Sequence, residues 1–263
     1  MARIGLVVAL LSVGACHFYA GDDPDDTEVV ADAGDRNDAT GADLDVLLLV
    51  DRSGSFGCCL ASLRAQAPAL HAALDASYPG VRIGVASFVD KPIAPFGTPA
   101  GGDFVYETNL ALSPSAADLP AALFGLAIHI GGDGAEAQLE AVMHAALRRD
   151  EVGWDAHRTR IVVLLTHDVY HVAGDHSEAS ANNLDIVLDG TPPGAGEDYP
   201  SEADVGAILA AEGVRPVVVT SGSKPPYDAL LGAWGFGEAR AMEFDGANIA
   251  TQIEIAVHAV VSP

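Results

Sequence analysis

Basic side chains are scarce in this sequence: 13 Lys and Arg stand against 37 Asp and Glu in 263 residues, a formal charge of -24. Duplex nucleic acid is bound by clustered Lys and Arg that neutralise phosphates, so nucleic acid is excluded as a partner, and anionic membrane surfaces are disfavoured likewise. Cysteine is nearly absent, with three in the chain, so no disulfide framework supports the fold. No glycine fingerprint for a dinucleotide, no Walker loop and no Gly-x-Ser-x-Gly elbow follows any apolar run. What remains is a chain with 49% hydrophobic residues, long enough for one domain with a sizeable core, which rules out global disorder. Its surplus of carboxylate suits a hard divalent cation, which takes oxygen ligands.

The charge is uneven. Asp22 to Asp45 holds nine Asp and one Glu against the single Arg36, in a stretch poor in aromatic and β-branched residues. Such a run repels itself and reads as a flexible tether outside any core. Asp32, Asp35 and Asp38 lack the spacing of an EF-hand loop. Ahead of the tether, Arg3 and the apolar residues 4–11 form a charged and then a hydrophobic segment, too short for the roughly 20 residues of a bilayer span. The segment ends in Val13-Gly14-Ala15-Cys16, which resembles the lipobox of bacterial lipoproteins, where cleavage precedes a Cys that is then acylated. The implied layout is a signal peptide over 1–15, an acidic tether over 16–43 lipidated at Cys16, and a folded domain over 44–263. An ordinary secretory signal cleaved after Ala15 is the alternative; both place the protein outside the cytoplasm, and the first anchors it to a membrane of the bacterial envelope. The adjacent Cys58 and Cys59 are then either a strained vicinal disulfide or two thiols at a helix start.

From residue 44 onward, short apolar runs alternate with amphipathic ones. Residues 45–50, 81–88, 104–112, 160–166, 214–220 and 239–244 read as strands. Leu60, Leu63, Ala67, Leu70 and Leu74 recur at helical spacing, and 117–130, 136–149, 201–212, 226–234 and 248–261 also read as helices. Strands separated by helices predict an α/β fold: a doubly wound, mostly parallel, Rossmann-like sheet flanked by helices. Ligands of such sheets bind beyond the carboxyl ends of the strands, here after Val50, Phe88 and Leu165.

Asp51-Arg52-Ser53-Gly54-Ser55 leaves the first strand with an Asp and two hydroxyls at alternate positions. Three hard oxygen donors with one formal charge suit Mg²⁺ and leave it electrophilic enough to accept a further carboxylate. The competing reading is that Ser53 or Ser55 caps the helix that follows.

The motif resembles the metal-ion-dependent adhesion site of von Willebrand factor A (VWA) domains, and further segments resemble the I-like domain of integrin β subunits. Val81-Arg82-Ile83-Gly84-Val85-Ala86-Ser87-Phe88-Val89-Asp90-Lys91-Pro92 is similar to that family's Phe-Arg-Ile-Gly-Phe-Gly-Ser-Phe-Val-Asp/Glu-Lys stretch. Phe104-Val105-Tyr106, Asp133 to Met143, Gly153-Trp154, His171 to Asp175 and Asp198 to Ser201 have counterparts in the same order. The resemblance implies that Ser53, Ser55 and Glu136 hold Mg²⁺ or Mn²⁺, with Asp51 bracing the site from behind. It further implies that Asp90 and Asp133, with Glu136, form an adjacent Ca²⁺ site, although Gly131 stands where the family supplies an Asn. The partner it implies is a protein ligand whose acidic side chain completes the Mg²⁺ shell.

Three departures from the family bear on function. Cys58 and Cys59 replace two acids of its third, regulatory metal site. The Asp that follows a Thr at the end of the fourth strand aligns with His167, so Asp168 is expected to serve instead. The disulfide-bonded specificity loop is missing between Phe96 and Phe104, so the family's ligands do not carry over, and there is no sign of an α-subunit-like partner. A zinc ion shared by His167, His171 and His176 with Asp168 or Asp175 is a separate reading. Beside the leading expectation of a tethered, cation-dependent adhesion-like binding domain and no enzyme, two rivals stay open: a metal-assisted hydrolase at the same site, and a structural lipoprotein with a vestigial one.

Overall fold

β1 (Leu44–Asp51) is buried at all eight of its positions, and its pleat sorts them into two cores. Leu44, Val46, Leu48 and Val50 face one apolar cluster, whereas Leu47 and Leu49 face the other. Each such side chain contributes roughly 1.5–3 kcal/mol when fully buried, so a central strand covered on both faces is the stable solution. The computed structural model describes residues 43–236, 241–244 and 247–261. The expected signal segment 1–15, Cys16, the acidic run up to residue 42 and the first residues of the expected 239–244 strand lie outside the described residues.

The sheet has the order β3-β2-β1-β5-β7-β8. β2 (Arg82–Phe88), β5 (Thr159–Thr166), β7 (Val214–Thr220) and β8 (Met242–Glu243) run parallel to β1, while β3 (Glu107–Ser113) is antiparallel at the edge. β1 pairs with β2 on one side and β5 on the other, which makes its carboxyl end the switch point of the sheet. α1 (Gly57–Ser77), α2 (Asp118–Gly125) and α7 (Ile249–Val261) cover one face, with Leu60, Leu63, Ala67, Leu70 and Leu74 of α1 all buried. α3 (Gln138–Leu147), α5 (Glu202–Glu212) and α6 (Pro225–Ala233) cover the other, and α4 (Arg149–Val152) is a single turn after α3. The expected α/β architecture is therefore the observed one.

Three expectations are corrected. The helix read over 117–130 stops at Gly125, and Leu126 is already extended at ψ 139°. Two arginines end it: Arg64 donates to the carbonyls of Leu123 and Leu126, and Arg52 Nε donates to Ala127 O at 2.6 Å. Glu136, read as the first residue of a helix, lies instead in β4 (Ala135–Glu136), which pairs with β6 (Val169–Tyr170) two residues before α3 begins. Asp45, whose charge is counted with the acidic run although 45–50 reads as a strand, is fully buried in β1. It accepts from Arg82 Nε and Arg158 Nε, each at 2.8 Å, which offsets the desolvation of its charge.

Candidate metal centre

β1 delivers Asp51 to the switch point, where both of its oxygens are used. Ser53 N donates to Oδ1 at 2.7 Å, and Thr166 Oγ1, at the end of β5, donates to Oδ2 at 2.8 Å. Burial raises the pKa of Asp51, those hydrogen bonds work against the rise, and Asp168 adds to it. Asp51 thus braces the loop from behind and leaves the two hydroxyls in front.

Ser53 Oγ and Ser55 Oγ lie 2.9 Å apart, and Ser55 Oγ donates to Asp168 Oδ2. Neither the 3₁₀ turn Gly54–Phe56, entered from Ser53, nor α1 has a side-chain hydrogen bond at its N-cap. The helix-capping reading of the serines therefore fails; their hydroxyls point to each other and to Asp168. His167 turns elsewhere, with Nδ1 3.0 Å from Ser221 Oγ. The loop that carries Asp168 is fixed from below, because Tyr227 OH donates to Asp168 O at 2.5 Å and Gln138 Nε2 to the same oxygen at 3.3 Å.

Glu136 enters from β4. It is 2% exposed, and its Oε2 is buried without a hydrogen-bond partner. Burial first, then the charges of Asp51, Asp90, Asp168 and Asp133, push its carboxyl up to about 10. Gly131 makes this position possible: a Cβ there would stand 2.9 Å from Glu136 Oε1, and φ is +72°. A buried, orphaned acceptor crowded by carboxylates is a place where a cation would relieve both the missing partner and the repulsion, and hard oxygens suit a divalent ion such as Mg²⁺ or Mn²⁺.

Asp90 and Asp133, expected beside this site, are joined by a residue that sequence reasoning placed in a different cluster. His171 Nε2 lies 3.4 Å from Asp90 Oδ2 and 3.3 Å from Asp133 Oδ1. Burial opposes a charge on His171, but Asp90, Asp175 and Asp133 outweigh it and hold the imidazole up to about 9. The three-histidine zinc reading is corrected here: His167 is bonded to Ser221, His176 packs edge-on against Phe96 at 5.3 Å, and only His171 faces a carboxylate pair. Cys58 and Cys59 are both free thiols, their sulfurs 3.4 Å apart, and Cys59 Sγ also contacts Ser221 Oγ at 3.3 Å. Thr166, Gln138 and Tyr199 were missed; hydrogen bonds spanning 28 to 115 residues leave no local pattern to find.

A doubly wound sheet carrying Asp-x-Ser-x-Ser at its switch point defines a VWA-type domain. The family model of the integrin β-chain VWA domain matches residues 39–262. The chain belongs to that family. It is 28% identical to integrin beta-7 of Homo sapiens over 214 residues, and 27% identical to integrin beta-2 of Ovis canadensis over 219. Each match takes in 73% of this chain, which spans little more than a quarter of those relatives, 27% and 28% of their length. In fold it is similar to the vWF domain of the type V pili tip protein Mfa5 from Porphyromonas gingivalis, with TM-score 0.52 and 11% identity over 85% of this chain and 97% of that one. The pilus adhesin SpaC from Lactobacillus rhamnosus GG shares it at TM-score 0.52 and 12% identity, over 83% of this chain and 30% of SpaC.

Proposed function

We propose that this is an adhesion-type, cation-dependent protein-binding domain, with Mg²⁺ or Mn²⁺ held by Ser53, Ser55 and Glu136 beside Asp168. The observation that carries the reading is the buried, unpartnered Glu136 Oε2, crowded by Asp51, Asp90 and Asp168. The family supports it, since integrin I-like domains typically bind divalent cations and are generally not enzymes. When bound, the cation supplies an electrophilic centre for an acidic side chain of the protein ligand. Asp51 keeps the loop in register through Ser53 N and Thr166, and Glu136 supplies the charge that the serines lack. Beside them the 129–130 segment passes Gly54, whose added Cβ would stand 3.7 Å from His129 O and 3.8 Å from Ile130 O. Ile130 is 85% exposed there, an apolar contact for the ligand next to its carboxylate. The acidic composition favours a ligand surface that is neutral or basic around that carboxylate.

The lipobox-like Val13 to Cys16 supports export, a lipid anchor at Cys16 and a tether between anchor and domain. Among the described residues, no helix is long and apolar enough to cross a membrane. Peptide display on the immobilised full chain tests the binding function. Peptides retained in Mg²⁺ and released by chelator are expected to share an Asp or Glu, and to lose binding when it becomes Asn or Gln. Release that is indifferent to chelator, or peptides without a required carboxylate, would overturn the reading.

A further inference from the structure

Next to the serine site, the donor set does not match the Ca²⁺ that the resemblance implies. Ca²⁺ takes six to eight oxygens. Of the two oxygens of Asp90, Oδ1 already accepts from Tyr199 OH at 2.5 Å and from Lys91 N at 2.7 Å. Gly131 brings no side chain to add an oxygen. Glu136, the third residue of the implied Ca²⁺ set, feels the charge of both aspartates but belongs to the proposed serine site, and the group whose ligand atom closes on the pair is an imidazole. One ligand atom each from Asp90, Asp133 and His171 lies within 4.8 Å of the others. Asp90 is fully buried, and its Oδ2 has no partner beyond the ion-pair contact with His171 Nε2 at 3.4 Å. That buried acceptor separates the cluster from an ordinary acidic patch.

His171 is held as a ligating histidine is held. Its Nδ1 meets Asp175 Oδ2 at 2.9 Å, and Val172 N donates to that same carboxylate oxygen at 3.0 Å. A carboxylate on one ring nitrogen fixes the tautomer and aims the other nitrogen at the metal. Tyr199 stacks on the ring at 4.5 Å and Phe96 packs edge-on at 5.0 Å, so the ring cannot swing away. The 3.3 and 3.4 Å gaps from Nε2 to the two carboxylate oxygens match the edge of a tetrahedron with bonds of about 2.0–2.1 Å. Asp133 is partly exposed, which leaves a path from solvent.

We propose that Asp90, Asp133 and His171 form a site for a Zn²⁺-type cation, distinct from the Ser53–Ser55 site, with Asp175 as the positioning residue for His171. A borderline cation accepts imidazole and carboxylate together, whereas Ca²⁺ selects oxygen alone. The site joins the chain just after β2, just before β4 and just after β6, so its ion would tie together the segments that carry Glu136 and Asp168.

The test uses the full chain, stripped with chelator and returned to excess Mg²⁺ and Ca²⁺. Zn²⁺ is titrated by calorimetry, and Co²⁺ by visible absorption, whose ligand-field bands report nitrogen ligation. The expected result is one Zn²⁺ or Co²⁺ per chain, with affinity at least ~10-fold lower in His171→Gln and in Asp133→Asn, and about 10-fold lower in Asp175→Asn. Ser53→Ala should leave this binding unchanged even where it abolishes the Mg²⁺ response, so failure here and failure of the adhesion reading are separable. Circular dichroism checks that each variant folds, and Asp133→Asn, at a partly exposed residue, carries the test if His171→Gln does not fold. Wild-type Zn²⁺ affinity in the folded variants would overturn the proposal and leave His171 as the ion-pair partner of Asp90 and Asp133. Loss of Zn²⁺ binding in Ser53→Ala, or its displacement by Ca²⁺, would overturn it too.

Discussion

Glu136 Oε1 occupies the space that a side chain on Gly131 would need, 2.9 Å from where its Cβ would stand. The bare backbone at Gly131 and the buried carboxylate are one feature. Gly131→Ala meets a positive φ as well as this contact, so a loss of about 1–3 kcal/mol is expected. Because the carboxylate must shift, Mg²⁺ affinity should fall as well. Denaturant melts and Mg²⁺ calorimetry on the same variant measure both; unchanged Mg²⁺ affinity would separate Glu136 from the ion.

Glu136 also sets a pH dependence. Unfolded, it ionises near 4.5; folded and without cation, it keeps its proton up to about 10. Across that window the folded state holds a proton that the unfolded chain has released, so each step upward in pH favours unfolding. His171, held up to about 9 against its ordinary 6.5, acts in the same direction above 6.5. In chelator the melting temperature should therefore fall from about pH 5 to pH 9, and Glu136→Gln should flatten the fall. With Mg²⁺ the trend is opposed, because cation and proton compete for one carboxylate. A chelated protein that gains stability as pH rises would contradict this assignment.

Asp168, and not His167, meets Ser55. Asp168→Asn should weaken Mg²⁺ binding at least ~10-fold, whereas His167→Asn should leave it nearly unchanged. Calorimetry of the two variants side by side decides between them, and the reverse order would restore the aligned histidine as the ligand.

Arg52 holds the segment beside the site. Its guanidinium bonds to Ala127 O at 2.6 Å, His129 Nε2 at 2.7 Å and Glu107 Oε2 at 3.1 Å, and it lies over the Phe104 ring at 5.0 Å. Arg52→Ala strips these partners and should cost about 1–3 kcal/mol. Limited proteolysis should then cut within 126–132 while β1 and α1 stay intact. Resistance equal to the wild type would show that the segment holds itself.

Much of the frame was legible because its signals are local. β1 reads as a strand buried on both faces, and α1 repeats Leu60, Leu63, Ala67, Leu70 and Leu74 at helical spacing. The end of α2 was not legible: Leu126, Ile128 and Ile130 prolong an apolar pattern, and the arginines that stop the helix sit 59 to 75 residues away. Asp45 looked like its acidic neighbours, because the two arginines that neutralise it come from β2 and from the turn before β5. At the centre, Asp51, Ser53 and Ser55 follow from one short motif, and Glu136 from the family resemblance. The part played by His171 emerges only when β6 pairs with β4 and brings its ring beside Asp90 and Asp133.

A divalent cation held by Ser53, Ser55 and Glu136, with Asp51 behind them, is what the proposed binding function depends on. The most direct test is the melting temperature of the chelator-stripped full chain, titrated with Mg²⁺ and then Mn²⁺, for wild type and Asp51→Ala together. A saturable rise is expected in the wild type, near 2.7 kcal/mol in stability at about a hundredfold excess over Kd, and little or none in the folded variant. No rise in the wild type, or the same rise in both, would contradict a cation at this site.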